Sequence, residues 1–231
     1  MEGTEVRKLA ELEDEHWWYR ERRHLLARAI TGLAPGRAID IGAAGGGNTR
    51  VLREHGWDAV ALEYGADGAA VAHERGLATL RGDATNLPLA SDSLDLVVAF
   101  DVLEHLQDDD AAVAEVRRVL RPGGTYLIAV PADPRLWSSH DVAVDHVRRY
   151  TREGLVELLG RGGFEVGDVR SWNVLLRPVV AMRRRTSSGS DLEDLNPVVN
   201  LGLRAIIAAE RYLPVGGLPG VSLLVRAQPR S

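Results

Sequence analysis

Residues 37–48 read Arg-Ala-Ile-Asp-Ile-Gly-Ala-Ala-Gly-Gly-Gly-Asn, an apolar stretch carrying one acidic residue, followed by a glycine-dense turn. The apolar part predicts a β-strand, and the turn predicts the entry into a helix. Glycine lacks a Cβ and tolerates positive φ, so the backbone at Gly42, Gly45, Gly46 and Gly47 can approach a bound molecule closely. We therefore expect a nucleotide-sized ligand at the end of this strand.

Two ligands compete for such a loop, a dinucleotide and S-adenosylmethionine. Both bind at the carboxyl end of the first strand of a doubly wound sheet. A dinucleotide fingerprint needs glycine at its first, third and sixth positions. Counted from Gly42, the third position is Ala44 and the sixth is Gly47. The missing glycine favours S-adenosylmethionine, and a tight turn without a ligand remains the alternative. The methyl group of Ala44 is tolerated if the backbone there keeps negative φ, which we expect.

Four further segments follow the loop in a fixed order. Residues 57–62 alternate apolar positions and end at Glu63, where a carboxylate after the second strand would accept hydrogen bonds from ribose hydroxyls. The other three segments are Leu-Arg-Gly-Asp-Ala at 80–84, Leu-Asp-Leu-Val-Val-Ala-Phe-Asp-Val-Leu-Glu-His at 94–105, and Arg-Val-Leu-Arg-Pro-Gly-Gly at 118–124.

Together these segments resemble the class I S-adenosylmethionine-dependent methyltransferases, in particular their bacterial small-molecule branch, over residues 36–170. The resemblance implies that Glu63 holds the ribose, that Asp83 and Ala84 meet the adenine, and that Phe100 borders the sulfonium. It also implies that the amino-terminal aromatic segment folds over the cofactor; the alternative is that these rings only attach the helix to the sheet. The cofactor-binding residues implied in this way are Trp18, Tyr19, Asp40, Gly42, Gly46, Glu63, Tyr64, Asp83, Ala84 and Phe100.

Hydrophobic periodicity predicts an α/β fold, a Rossmann-like doubly wound sheet of seven strands. By resemblance the sheet is mostly parallel, and its last strand is antiparallel. The predicted strands are 37–41, 57–62, 77–80, 94–100, 124–130, 164–170 and 221–227. We interpret residues 1–231 as a single domain with an amino-terminal helical cap (1–35), a cofactor-binding core (36–170) and a helical insertion before the last strand (171–220).

Helices are predicted outside the core as well as within it. Residues 6–31 read as one amphipathic helix, and Thr151 caps a helix that the pair Gly162-Gly163 ends. In the insertion, apolar stretches at 172–182 and 195–213 flank a polar break at 183–191. The insertion is open to four interpretations: two helices packed on the sheet, a substrate lid, a dimer face or a membrane-leaning surface.

The segment after the fifth strand, residues 131–150, is dense in Trp, His, Asp, Arg and Tyr. A segment at the carboxyl end of a parallel strand with this composition predicts a substrate wall rather than a linker. The predicted substrate-binding residues are Trp137, Asp141, Arg149 and Tyr150.

Methyl transfer is an in-line displacement on a sulfonium, so the protein mainly positions the acceptor and removes its proton. A histidine suits proton removal near neutral pH, and His146 or else His140 is the predicted general base. Asp101 and His105 at the end of the fourth strand are assigned to the scaffold. The spacing of acids and histidines contains no dedicated metal motif, and we predict no metal.

Composition and net charge limit the kinds of partner that we expect for this protein. A formal net charge of −5 argues against nucleic acid, and the absence of cysteine excludes a disulfide scaffold and a thiol nucleophile. The sequence begins without a secretion signal and contains no apolar run that approaches a membrane span, so we expect a cytoplasmic protein without stable membrane insertion. A homodimer is left open.

These observations predict transfer of a methyl group from S-adenosylmethionine to an oxygen or nitrogen of a small molecule. Two alternatives stand beside it. The acceptor could be linked to a lipid or a sugar, with the insertion contacting its aliphatic part, or the chain could be a noncatalytic S-adenosylmethionine-binding subunit that regulates a partner.

Overall fold

The computed structural model describes residue 7 and residues 12–186 and 196–230. Seven strands form one sheet in the order β3-β2-β1-β4-β5-β7-β6, in which only β7 runs antiparallel to its neighbours. The doubly wound α/β fold predicted from the sequence is confirmed. The strands are β1 (Arg37–Ile41), β2 (Asp58–Glu63), β3 (Thr79–Arg81), β4 (Leu94–Phe100), β5 (Leu120–Pro131), β6 (Phe164–Trp172) and β7 (Ser222–Pro229).

Helices cover both faces of this sheet. Along β4, Val97 packs in a cluster with Val113 and Leu155, while its neighbour Leu96 packs with Leu26 on the opposite face. This alternation follows from the two-residue period of a strand. The helices are α1 (Trp17–Ala29), α2 (Gly47–Glu54), α3 (Ala66–Glu74), α4 (Asp109–Val119), α5 (Ser139–Ala143), α6 (Arg152–Arg161), α7 (Arg177–Thr186) and α8 (Pro197–Glu210). Among the described residues, no helix combines the length and apolar character needed to span a membrane.

The carboxyl ends of the central parallel strands meet at one edge of the sheet. Ile41 of β1 lies beside Leu62 of β2 and beside Ala99 of β4. The strand order reverses at β1, because β2 and β3 lie on one side and β4 and β5 on the other. Open α/β sheets bind ligands in the crevice that such a reversal creates. The glycine-dense turn between β1 and α2 opens into this crevice.

The predicted helix over 6–31 is wrong in its extent. The helix α1 begins at Trp17, after a turn over 13–15, and His16 caps it by accepting a hydrogen bond from the Trp18 N–H. Most of residues 6–11 lies outside the described part of the chain. The break places Glu13 against the glycine loop, where its carboxylate lies beside the backbone of Gly47.

The other predicted elements shift by a few residues. The helix capped by Thr151 is confirmed, since the threonine side chain accepts a hydrogen bond from the Gly154 N–H. In the insertion, α7 continues through Thr186, so the first part of the predicted polar break is helical, and the remainder, 187–191, lies outside the described residues. The division into cap, core and insertion at 35, 170 and 220 stays a prediction.

Candidate active site

One cavity of about 790 Å³ occupies the crevice at the carboxyl edge of the sheet. Its size suits a small-molecule ligand, for which pockets of about 300–1,000 Å³ are usual. Ten of the predicted site residues line it: Trp18, Tyr19, Gly42, Glu63, Tyr64, Asp83, Ala84, Phe100, His146 and Arg149. The cavity therefore has a glycine-loop half, formed after β1, β2 and β3, and an insertion half, formed by residues 131–149 and by α7.

The glycine loop differs from expectation at one position. Ala44 adopts φ of 46°, in the left-handed region, so the predicted negative φ is wrong. This conformation lets the Ala44 N–H donate to Oε2 of Glu63 at 2.8 Å. A left-handed alanine costs about 1–2 kcal/mol, and a hydrogen bond to a carboxylate contributes about 1.5–3 kcal/mol. The bond to Glu63 thus offsets the backbone cost and couples the loop to β2.

The Glu63 carboxylate lines the glycine-loop half of the cavity and is held by backbone N–H groups. Its Oε1 accepts a hydrogen bond from the Gly65 N–H at 3.1 Å. A Cβ at Gly68 would lie 2.7 Å from Cγ of Glu63, so the glycine leaves the space that this side chain occupies. A carboxylate offers about four lone-pair sites, so Glu63 retains acceptor capacity for hydroxyl groups of a ligand. The residues present therefore fit a ribose.

Asp40 lies behind the glycine loop rather than on the cavity wall. It is 1% exposed and accepts a hydrogen bond from Oγ1 of Thr49 at 2.7 Å. Burial raises the pKa of Asp40 to about 7, against the opposing effect of the Thr49 hydrogen bonds. Gly46 is also off the wall; its φ of 83° starts α2, and a Cβ there would lie 2.1 Å from Leu77. Asp40 and Gly46 therefore support the conformation of the glycine loop without lining the cavity.

Aromatic rings build the wall contributed by α1. The rings of Trp18 and Trp172 have centroids 4.5 Å apart, which also attaches α1 to the end of β6. The guanidinium carbon of Arg22 lies 5.5 Å from the Trp18 ring, 5.3 Å from Trp172 and 5.1 Å from Phe100. These are cation–π distances. Arg22 is thus fixed where the two halves of the cavity meet.

Arg22 forms an ion pair with Asp101, the residue that follows β4. Both line the cavity, and Asp101 takes a positive φ of 58°. The sequence interpretation missed Arg22 and assigned Asp101 to the scaffold. The sequence did contain an indication that both residues reach the site. Asp101 directly follows a parallel strand, and Arg22 lies one helical turn after the aromatic residues of α1.

His146 sits in a network of buried charges in the insertion half. Its Nδ1 lies 2.9 Å from Oδ1 of Asp141, and the same oxygen accepts a hydrogen bond from Nε of Arg149 at 2.7 Å. Arg149 also donates to the carbonyl of Ala132 at 2.7 Å. Although burial opposes it, hydrogen bonding to His146 and the charge of Arg149 hold the pKa of Asp141 well below its ordinary value. Asp141 is therefore a carboxylate, so Nδ1 of His146 carries the hydrogen and Nε2 is the basic atom.

Glu104 and His105 lie beside this network in the 3₁₀ turn after β4. Glu104 is fully buried, and neither carboxylate oxygen has a hydrogen-bond partner. Burial, reinforced by the charge of Asp101, raises the pKa of Glu104 well above its ordinary value. His105 lines the cavity, and burial, with the nearby His146, lowers the pKa of its ring.

A metal ion has one candidate position among the described residues. Ligand atoms of Glu104, His105 and His146 lie within 4.8 Å of one another. Nε2 of His146 is 3.8 Å from Oε1 of Glu104, whereas two donors about 2.1 Å from a tetrahedral ion lie about 3.4 Å apart. This pair is wider than tetrahedral coordination requires, and the absence of a metal stays a prediction.

Several predicted site residues lie off the cavity wall. Tyr150 is buried, and its hydroxyl bonds to Oδ2 of Asp109 at 2.7 Å and to the carbonyl of Leu103 at 3.2 Å. Spacing alone could not separate this core contact from a position facing a substrate. The residues off the wall are Asp40, Gly46, Trp137, His140, Asp141 and Tyr150. Asp141 still contacts the wall through His146 and Arg149.

The insertion supplies wall residues that the sequence did not single out. Leu176, Val179, Val180, Arg183 and Arg184 all line the cavity. Their spacing places them on one face of α7 and the residue before it. The sequence interpretation treated Arg183 and Arg184 as residues of a polar break, because it ended the helix too early.

Comparison with known proteins agrees with this architecture. Residues 39–128 match the family model described as a methyltransferase domain. A probable S-adenosylmethionine-dependent methyltransferase of Mycolicibacterium smegmatis is 32% identical over 171 residues, covering 71% of this chain and 66% of the relative. A demethylmenaquinone methyltransferase of Mycobacterium marinum is 32% identical over 124 residues, covering 53% of this chain and 52% of that protein.

The fold also matches a solved structure. An S-adenosylmethionine-dependent methyltransferase from Mesorhizobium loti superposes with a TM-score of 0.65 at 19% identity, covering 94% of this chain and 99% of that one. The chain spans less than two thirds of the length of the two curated relatives just named. The family match covers β1 to β5, which carry the glycine loop, Glu63 and Phe100. The chain belongs to the class I S-adenosylmethionine-dependent methyltransferases.

Proposed function

We propose that this protein transfers a methyl group from S-adenosylmethionine to an oxygen or nitrogen of a small-molecule acceptor, with His146 as the general base. The observation that carries the proposal is a single cavity lined both by the glycine loop with Glu63 and by His146. When bound, S-adenosylmethionine supplies a methyl group on a positively charged sulfur. Only the insertion half then remains for the acceptor.

The cofactor would be held by residues of the glycine-loop half. Glu63 accepts hydrogen bonds from the ribose hydroxyls, and Gly42 keeps the loop backbone close to the ligand. A side chain at Gly42 is excluded on two grounds, because its φ is 68° and a Cβ would lie 2.7 Å from Val102. Trp18, Tyr19 and Phe100 supply the apolar wall that excludes water around the reacting groups.

His146 would remove the proton of the acceptor through Nε2. The contact between Nδ1 and Asp141 fixes the ring and its tautomer, as expected of an oriented general base. Arg149 holds Asp141 in turn, so the histidine rests on a buried and rigid support. A positioned general base contributes about 10²–10⁴-fold to a rate.

The test is a methyl-transfer assay with labelled S-adenosylmethionine against a panel of hydroxyl and amine acceptors. Product formation, together with loss of turnover in His146→Ala, supports the proposal. Calorimetric binding of S-adenosylmethionine with no turnover of any acceptor in the panel would instead favour a noncatalytic regulatory subunit.

A further inference from the structure

Most of the exposed large apolar side chains among the described residues lie in the insertion. Soluble proteins scatter such side chains singly, and a concentration of them marks a surface that binds something. The densest group lies on α8 and the turn that follows it, and we call this group the α8 patch. Its members are Val198 (78% exposed), Val199, Leu201 (63% exposed), Ile206, Tyr212 (86% exposed) and Leu213.

The α8 patch is the outer side of a helix whose inner side is packed. Ile207 is buried and packs in a cluster with Trp172. At about 100° per residue, Val198 and Leu201 lie on the side of α8 that is turned away from Ile207. A helix that is apolar on all sides is normally buried on all sides. The described part of the chain provides no cover for the outer side of α8.

The charges of α8 fit a lipid surface. Glu210 is the only acidic residue of this helix; it is buried and accepts hydrogen bonds from the N–H groups of Val174 and Leu175 at 2.8 and 2.9 Å. Arg204, the only basic residue of α8, is exposed. An arginine beside an apolar surface holds its guanidinium at the level of lipid headgroups while its stem covers apolar surface. The outer side of α8 therefore presents no negative charge that would oppose contact with a bilayer.

The size of the outer side of α8 favours a bilayer over a second copy of the chain. The helix has 14 residues, so this side is about 21 Å long and about 10 Å wide. It offers about 200 Å², well below the about 800 Å² that each partner contributes to a standard protein interface. A bilayer takes up apolar side chains to a depth of about 5–10 Å without shape complementarity. A helix of this length lies on a bilayer rather than crossing its core of about 30 Å.

The helix that carries the α8 patch also forms part of the candidate active site. Leu203 of α8 lines the cavity. Leu176 of α7, another wall residue, packs in one cluster with Ile207 of α8. Val179 of α7 lines the cavity and is 52% exposed. A protein docked through the outer side of α8 therefore has its cavity directly behind the docking helix.

We propose that the α8 patch docks this protein on the surface of a lipid bilayer, with α8 lying in the interface. The inference goes beyond the proposed function, because it concerns where the chain binds and holds for any acceptor. A docked enzyme would take an acceptor that is dissolved in the bilayer, and this consequence, unlike the docking itself, rests on the proposed function.

The test is cosedimentation of the full chain with vesicles of mixed phosphatidylcholine and phosphatidylglycerol. We expect binding that persists in about 0.5 M salt, because burial of apolar side chains drives it and salt screens only charges. An absence of binding overturns the proposal. Binding that high salt abolishes overturns it as well, since such binding is electrostatic.

Variants with an added charge locate the docking surface. Leu201→Glu and, independently, Val198→Glu should each lower the vesicle partition coefficient by about 10-fold or more, because each removes a buried apolar side chain and adds a carboxylate. Val156→Glu is the matched control, since Val156 is an exposed apolar residue of α6, which packs on the face of the sheet opposite α1. Equal losses in all three variants, or no loss in the two α8 variants, contradict the assignment.

Two further measurements separate the competing explanations. Sedimentation velocity detects a dimer; one that Leu201→Glu dissociates, in a chain that does not bind vesicles, would assign the α8 patch to a second copy and overturn the proposal. Calorimetry with S-adenosylmethionine should give the parent affinity in Leu201→Glu and Val198→Glu, since neither position lines the cavity, and it also checks that the variants fold. Cofactor binding without vesicle binding refutes only the docking.

Discussion

Oδ1 of Asp141 lies 2.9 Å from Nδ1 of His146 and 2.7 Å from Nε of Arg149, so a single carboxylate oxygen connects the candidate base to a buried guanidinium. Asp141 fixes the tautomer of the His146 ring although Asp141 itself does not line the cavity. The same geometry favours His146 over His140 as the general base, because only His146 of the two lines the cavity.

His146→Ala should lower kcat by about 100-fold, because removing a general base usually costs about 10²–10⁴-fold. Affinity for S-adenosylmethionine should stay nearly unchanged, since His146 lies in the insertion half. His140→Ala is the control, because His140 lies off the cavity wall, and it should retain near-normal turnover. Near-normal turnover in His146→Ala would exclude it as the base.

Glu63→Ala should weaken binding of S-adenosylmethionine by about 1.5–3 kcal/mol, the usual worth of hydrogen bonds to a charged group. Isothermal calorimetry measures the change, and circular dichroism checks that the loop tethered through Ala44 remains folded. Glu74→Ala, on the exposed surface of α3, should leave the affinity unchanged. An unaltered affinity in folded Glu63→Ala would remove the ribose assignment.

Tyr150→Phe should destabilise the fold by about 1.5 kcal/mol or more, because it removes a buried hydrogen bond to the carboxylate of Asp109. The KM for an acceptor should not change. Tyr126→Phe is the matched control, since the buried Tyr126 hydroxyl has no partner and its loss should cost little. Urea denaturation measures the free energy of unfolding of both variants. A raised KM in Tyr150→Phe would indicate that Tyr150 contacts the acceptor after all.

Asp40 should make stability depend on pH. Its pKa is about 7 in the folded chain and near 3.8 when unfolded, so the fold favours the protonated form. This contribution is complete below about pH 4, decreases as pH rises, and is lost above about pH 7, with a slope of at most about 1.4 kcal/mol per pH unit.

Asp40→Asn should remove that slope, so that the variant gains stability relative to the parent chain between pH 4 and 7. The measurement is urea denaturation of the ligand-free protein at several pH values. Asp58→Asn, at an exposed position that begins β2, should follow the parent curve. Parallel curves for Asp40→Asn and the parent chain would mean that Asp40 is ionised throughout.

The sequence predicted the features that depend on chain order and strand ends. Gly42, Glu63 and Phe100 each sit at or just beyond the end of a parallel strand, so sheet topology alone brings them to one edge. Tyr150 and Trp137, both predicted to bind substrate, lie off the cavity wall. The segment of Tyr150 folds back on itself, since Tyr150 pairs with Ala132, and the tyrosine side chain is buried. Local composition contains no information about that reversal.

Two other differences come from contacts distant in sequence. The φ of Ala44 depends on Glu63, nineteen residues away along the chain. The wall formed by α7 depends on how the insertion docks, and Trp18, Arg22 and Trp172 meet only after the sheet has formed. Periodicity predicted the helices, whereas the face each presents to the cavity follows from tertiary packing.

The position of β7 has a consequence for the order of folding. β7 lies between β5 and β6 and pairs with both, so β6 has no other strand neighbour among the described residues. During synthesis, β1 to β5 and their helices can assemble first. β6 cannot pair until β7, residues 222–229, has been synthesised, about fifty residues after β6 ends. Non-local pairing of this kind is slow, and an unpaired strand edge is prone to aggregation. We expect chains truncated before β7 to keep the glycine loop yet to need chaperones.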